Sequence, residues 1–310
     1  MTGFELGDCD EINTLPDELL INIFKLLSAE EVVKCGGVCR RWRALSRDAA
    51  VWRRLRIAYS GQPRVTARAT TFRLISTHGH YINCLKLQYE YDYSIVKTIL
   101  TQCDNLISLE VVMCRIAKDF EDDVIKWPNL RKLSLKNTLL QQNNDDLCIQ
   151  YDQFKYLNYL ALSEIGLNSG NCDSLLRCRY LRQIYIEKIK SLDLDFVERL
   201  IQSKKDILET LHIYGGGAID DHCLQLLAGC ERLKDLAIIR CEGLTDAGLI
   251  WLTRFKSIQH LQIWNNVNFS EVNLLRTLGS PNLVKLQSLS LSRIGNISPT
   301  KKFCLLVWVL

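Results

Sequence analysis

No stretch of this chain is apolar for the roughly 20 residues that a membrane span requires, and the longest run, residues 303–310, falls well short. The first 13 residues are acidic and carry neither a basic start nor a long apolar core, so no secretory signal is expected. Val307 stands where a prenylation motif would need cysteine. These absences point to the cytoplasm, the nucleus or both, with no membrane partner. Metal-ligand spacing is missing too: among 13 cysteines no two are separated by two residues, Cys35 and Cys39 have no histidine nearby, and the 5 histidines are scattered. Gly215, Gly216 and Gly217 lack the lysine and the serine or threonine of a phosphate loop and read as a turn. No metal, cofactor or catalytic residue is assigned. Without a secretory signal to support disulfides, the thiols are expected to act as small apolar fillers. Charge is nearly balanced, 39 Lys and Arg against 35 Asp and Glu, and the 47% apolar content is that of an ordinary globular protein.

What the chain does have begins at residues 15–55. Pro16, with Asp17 and Glu18, suits a helix start, because the missing amide proton is harmless there and negative charge suits the dipole. Leu19, Leu20, Ile21, Ile23, Phe24, Leu26 and Leu27 then cover far more than one apolar face. Two apolar faces need two things to cover them. Ser28 and Glu31 have capping-box spacing before a second helix, which Gly36 and Gly37 end. A third helix carries Val38, Trp42 and Leu45 at i, i+4 and i+7, and Asp48 can cap one more turn holding Val51, Trp52 and Leu55.

This order of residues, from Leu15 and Pro16 through Ile23 and Phe24 to Val38, Trp42 and Trp52, resembles an F-box. The resemblance implies docking onto the Skp-type adaptor of a cullin–RING ubiquitin ligase, through Leu15, Pro16, Leu20, Ile23, Phe24, Leu27, Val38 and Trp42.

Repetition dominates the rest. Apolar triplets spaced three then two start at residues 82, 106, 130, 157, 181, 208, 233, 258 and 286, in steps of 24, 24, 27, 24, 27, 25, 25 and 28. Each triplet predicts one short parallel strand followed by a return helix, and no unit can bury its own leucines alone. The spacing resembles that of leucine-rich repeats. Cys103 with Cys114, and Cys230 with Cys241, are each eleven apart, which is similar to the cysteine-containing class; Thr138, Ile165, Gly216, Asn266 and Ile294 replace the second cysteine elsewhere. In the copy at residues 230–249, Thr245 or Asp246 is placed to cap the return helix.

The expected fold class is α/β: a three-helix F-box at 14–57 after a flexible segment at 1–13, a helical join at 58–79, and a solenoid of about nine repeats at 80–300. Strands would line its concave face and helices its convex face. The apolar end, 301–310, reads either as a cap or as the mark of an alternative or incomplete product. Gly61 and Pro63 interrupt the pattern in the join, yet Phe72, Leu74 and Ile75 can form a helix against the first repeat, so a fixed geometry is expected. On the concave face Tyr159, Tyr185, His212, Tyr214, Ile239, His260 and Trp264 would form an aromatic strip suited to a protein substrate. Ten arginines between residues 40 and 73, against the single acid Asp48, leave a nucleic-acid surface as a weaker alternative. The resulting expectation is a non-catalytic substrate receptor in a ubiquitin ligase, with adaptor, cullin and RING protein as partners. A scaffold without ligase function is the second reading.

Overall fold

The structure, a computed structural model, describes residues 11–62, 65–116, 120, 127–140, 149–189, 192–215, 219–266, 268–281, 283–292 and 305–308. The expectations for residues 1–10, Pro63 and Arg64, Gly216 and Gly217, Ile294, and 301–304 with 309–310 lie outside the described residues.

A short turn, α1 (Glu11–Thr14), precedes helices α2 (Asp17–Phe24), α3 (Ala29–Cys35), α4 (Arg40–Leu45) and α5 (Ala49–Trp52). The Ser28 and Glu31 capping box forms in full at the start of α3. Asp48 caps α5 by accepting the Ala50 N–H at 2.7 Å. Leu20, Phe24, Val32, Leu45, Val51 and Trp52 make the small domain's core.

The chain then enters one sheet of eleven strands. The strands β1 (Arg56–Ser60), β2 (Cys84–Gln88), β3 (Ser108–Val112), β5 (Lys132–Lys136), β7 (Tyr159–Ser163), β8 (Gln183–Glu187), β9 (Thr210–Tyr214), β10 (Asp235–Ile239), β11 (His260–Trp264) and β12 (Ser288–Ser292) lie side by side in parallel, in chain order. β13 (Leu305–Trp308) pairs antiparallel with the last of them. A two-stranded ladder, β4 (Arg115–Ile116) with β6 (Leu139–Leu140), stands apart. Two side chains of each triplet point inward from every repeat strand; Leu85 and Leu87, Leu133 and Leu135, and Leu261 and Ile263 are all buried. Return helices such as Tyr93–Gln102, Leu194–Lys204 and Asp221–Ala228 close the other side.

β1 is a correction to the sequence reading, which assigned its residues to the end of the F-box and the join. Arg54 occupies the position of a leading leucine, so the triplet pattern starts one strand late. Ile57 and Tyr59 nonetheless alternate in register with Leu85 and Leu87. A second correction concerns Thr245 and Asp246, neither of which caps its own return helix, where Gly248 is the cap. Asp246 instead accepts from Ser270 N at 2.7 Å and Asn273 Nδ2 at 2.8 Å in the next repeat. Bonds between repeats satisfy it because successive loops stack only one strand spacing apart.

Each strand of the large sheet from β2 to β11 ends in the same device. The residue after it (Tyr89, Met113, Asn137, Glu164, Lys188, Gly215, Arg240 and Asn265) has positive φ. For a side chain other than glycine's this costs about 1–2 kcal/mol. In return its N–H donates to the final carbonyl of the next strand, as Met113 does to Lys136 at 2.8 Å and Arg240 to Trp264 at 2.9 Å. Asn266, in a second-cysteine slot, is 1% exposed and bonds the backbone of Cys241 and Ile238.

The join is built rather than strung. α6 (Val65–His78) buries Leu74 and Ile75, and His78 stacks on Trp52 with ring centroids 3.8 Å apart and planes 7° apart. Glu90 accepts from Tyr59 Oη at 2.9 Å and from Arg68 Nη2 at 2.8 Å. Gly61 donates to Gln88 O, and a Cβ there would meet Tyr89 O at 2.3 Å, so any side chain would push the backbones apart.

Burial, then the charges of Arg47 and His80, push the His78 pKa down to about 4. The native ring stays neutral while the unfolded chain takes up a proton below its ordinary value near 6.5. Stability is therefore expected to fall as pH drops from about 6.5 towards about 4. Urea melts across this window should show a shallower pH dependence for His78→Gln; an unchanged slope would refute the assignment.

Candidate interaction surfaces

Helical geometry separates the N-terminal residues into two sets. Leu20 and Phe24, at i and i+4 on α2, are 0% and 1% exposed, and Phe24 meets Trp42 edge to face at 5.3 Å. They are core, which corrects their assignment as adaptor contacts: they support the surface from below. Leu15, Leu27 and Trp42 are half-buried against the same core. The opposite stripe, Leu19, Ile23 and Leu26, stands open at 48%, 36% and 79% exposure, with Val33 and Val38 also exposed. Such apolar exposure on a domain this small marks an interaction surface. Periodicity revealed two apolar faces, but not which one the neighbouring helices would cover.

Arg41 is the residue that sequence reasoning missed. Its guanidinium donates to Asp17 Oδ1 at 2.6 and 2.8 Å, to Leu15 O at 2.6 Å and to Asn13 O at 2.5 Å. It thus fixes the turn that presents Leu15 and Pro16. Trp42 Nε1 donates to Asn13 Oδ1 at 3.1 Å and holds the same turn. The arginine run is therefore partly structural: Arg41 and Arg68 are paired, and Arg43 donates to Gly36 O at 3.1 Å.

On the concave face the expected single strip divides into two groups. Tyr159, Tyr185 and His212 form a ring cluster with centroids 5.0 and 4.6 Å apart. Asp235 Oδ1 lies 3.0 Å from His212 Nε2, although both atoms are shielded and not aligned as a hydrogen bond. Burial first raises the pKa of both tyrosines, so they are neutral phenols. The second group, Tyr214, Ile239 and Trp264, lines up in register on three adjacent strands. Lys188 and Arg240 flank the Tyr214 ring at 5.9 and 5.8 Å, and Trp264 Nε1 donates to Ser290 Oγ at 3.0 Å. His260 sits at the other end of the strand that carries Trp264, in register with Asp235 and not with the second group, because strand direction separates residues that the sequence lists together.

The thiols fill space. Burial raises Cys103, Cys178, Cys223 and Cys241 to about 12, which leaves them protonated and unreactive. Donor atoms of Glu198, Asp220 and Cys223 lie within 4.8 Å of one another. Each has other work, since Glu198 Oε1 is 2.7 Å from His222 Nδ1 and Asp220 caps the Cys223 N–H at 2.9 Å. Among the described residues no helix is long and apolar enough to cross a membrane.

Comparison with known proteins agrees with this division. Residues 12–58 match the F-box-like family. An F-box/FBD/LRR-repeat protein of Arabidopsis thaliana is 24% identical over 73% of this chain and 61% of its own length. The chain thus spans less than two thirds of that relative. F-box protein SKIP19 of the same plant is 22% identical over 71% of this chain and 84% of its own. F-box/LRR-repeat protein 5 of Danio rerio is 36% identical, but over 44 residues, 14% of this chain and 6% of its own. Similar solved structures include TLR13 in its ssRNA13 complex, with TM-score 0.44 and 14% identity over 80% of this chain and 37% of that one. A Listeria monocytogenes internalin has TM-score 0.44 and 15% identity over 81% of this chain and 76% of its own. With helices that match the F-box-like family leading directly into a solenoid of leucine-lined parallel strands, this chain joins an F-box-like domain to leucine-rich repeats.

Proposed function

We propose that the protein is the substrate-recognition subunit of an SCF-type ubiquitin ligase. Its F-box docks on a Skp-type adaptor, and through it on a cullin and a RING protein, while the solenoid holds a protein to be ubiquitinated. The chain supplies proximity and orientation, not covalent chemistry, and it works in the cytoplasm or nucleus. The observation that carries this reading is the uncovered apolar stripe of Leu19, Ile23 and Leu26 with Val38, on a domain whose own core is already filled by Leu20, Phe24, Val32 and Trp52. The built join supports it as well, because a receptor must present its substrate at a fixed angle.

The test is titration of purified Skp-type adaptor with the intact chain and with an Ile23→Asp/Val38→Asp variant. Placing carboxylates in an apolar interface costs about 3 kcal/mol, so binding should weaken roughly 100-fold. Both positions are exposed in the free chain, so thermal stability should hold. Equal affinity of variant and parent would remove the proposal.

A further inference from the structure

The concave face changes character along the sheet. Its middle strands carry rings, whereas the first four carry small side chains and lysine or arginine. Register places Arg56, Cys84, Ser108 and Lys132 in one row, Ala58, Lys86, Glu110 and Ser134 in the next, and Lys136 in a third. Small residues at the floor leave a hollow of about 530 Å³, walled at its far side by Tyr159. That is within the roughly 300–1,000 Å³ of ligand-binding cavities.

Four cations face one carboxylate in this hollow. Glu110 is shared between Lys86 at 3.4 Å and Lys136 at 3.8 Å, both of which remain more than 40% exposed. Lys132 lies over a ring face, with its ammonium 5.9 Å from the Tyr159 centroid, and Arg56 stands exposed. The surplus is positive and open to a guest. Ser134 adds a second, independent observation: it is 6% exposed at the floor, and its hydroxyl has no hydrogen-bond partner among the described residues. Parallel strands lie about 4.8 Å apart, so Arg56 and Lys132, three strands apart, span about 14 Å, the reach of four or five extended residues.

We propose that this cradle binds an extended segment rich in aspartate and glutamate, belonging to the protein that the solenoid recognises. The inference rests on the receptor reading above and adds the chemistry of the substrate. Carboxylates would pair with Arg56, Lys132 and the outer lysines. The segment would lie on the strand that continues directly from the F-box, since Arg56 is within the matched 12–58 segment. A single-stranded nucleic acid fits less well, because successive bases need successive stacking rings. Here one ring, Tyr159, borders the hollow.

The experiment is fluorescence anisotropy of a labelled Glu/Asp peptide with the intact chain, with a Lys132→Glu/Lys136→Glu variant, and with Arg254→Glu/Lys285→Glu, which changes net charge equally at exposed positions outside the hollow. Parent and outer variant should bind alike and the cradle variant at least about tenfold more weakly, with affinity falling as salt rises. Arg56→Gln provides a milder second variant should the double reversal unfold, and circular dichroism reads folding. No peptide binding by the parent, or equal loss in both double variants, overturns the proposal. So does tighter, cradle-dependent binding of a labelled single-stranded RNA. Adaptor titration on the same samples separates the two readings: adaptor binding without peptide binding overturns the cradle alone, and peptide binding without adaptor binding overturns the ligase reading.

Discussion

Trp52→Ala is expected to cost about 3–5 kcal/mol, the range for deleting a buried tryptophan, and to release the F-box from the solenoid. Trp52 is 1% exposed, stacks on His78 at the end of α6 and donates from Nε1 to Ser46 O at 2.8 Å. It therefore belongs to the small domain's core and to the joint at the same time. Solenoid stability is roughly a sum of neighbour terms, so the loss should be local. The N-terminal end should melt first in urea while the distant repeats keep their transition. Limited proteolysis should then cut between residues 60 and 70 faster than in the parent. Trp52→Phe keeps a ring against His78 and should lose less than half as much. A melt of Trp52→Ala within about 1 kcal/mol of the parent would mean that the joint is held elsewhere.

Arg68→Ala should be the next most damaging change, at about 3 kcal/mol. The Glu90 side chain is 5% exposed and its Oε2 takes both the Arg68 guanidinium and the Tyr59 hydroxyl. Removing one partner of a buried pair costs roughly 3–5 kcal/mol because a charge is left behind. The lower end applies here: Arg68 is 35% exposed, so water reaches the gap, and Glu90 keeps the Asp92 N–H at 3.1 Å. Arg68→Met combined with Glu90→Leu should recover most of the loss, since an apolar pair leaves no orphan charge. A double-mutant cycle measures this directly, and additive costs would show that the pair is not coupled.

Both joints lie where the sequence was hardest to read. The repeats were legible because a triplet spaced three then two can fill only an inward-facing strand position, and it recurs at steps that suit a single coil. Capping by Ser28 and Asp48 was legible for a similar reason, since a cap acts on amides two or three residues away. Arg41 was not legible: its partners at Asn13, Leu15 and Asp17 become neighbours only when α4 folds across the start of α2. Nor was β1, where Arg54 breaks the apolar pattern and pairing with β2 alone makes the strand.

The sequence by itself determined the two-part make-up, the period of the coil and the presence of a spare apolar face, all of which depend on spacing within a helix or between identical units. Tertiary structure decided which face of α2 is spare, where the concave rings group, and that Arg56 joins Lys86, Lys132 and Lys136 around one hollow. Those contacts join residues distant in sequence, Phe24 with Trp42 in the small domain and neighbours 24 or more positions apart on the sheet, and strand register and helix packing, which no local periodicity encodes, bring them together.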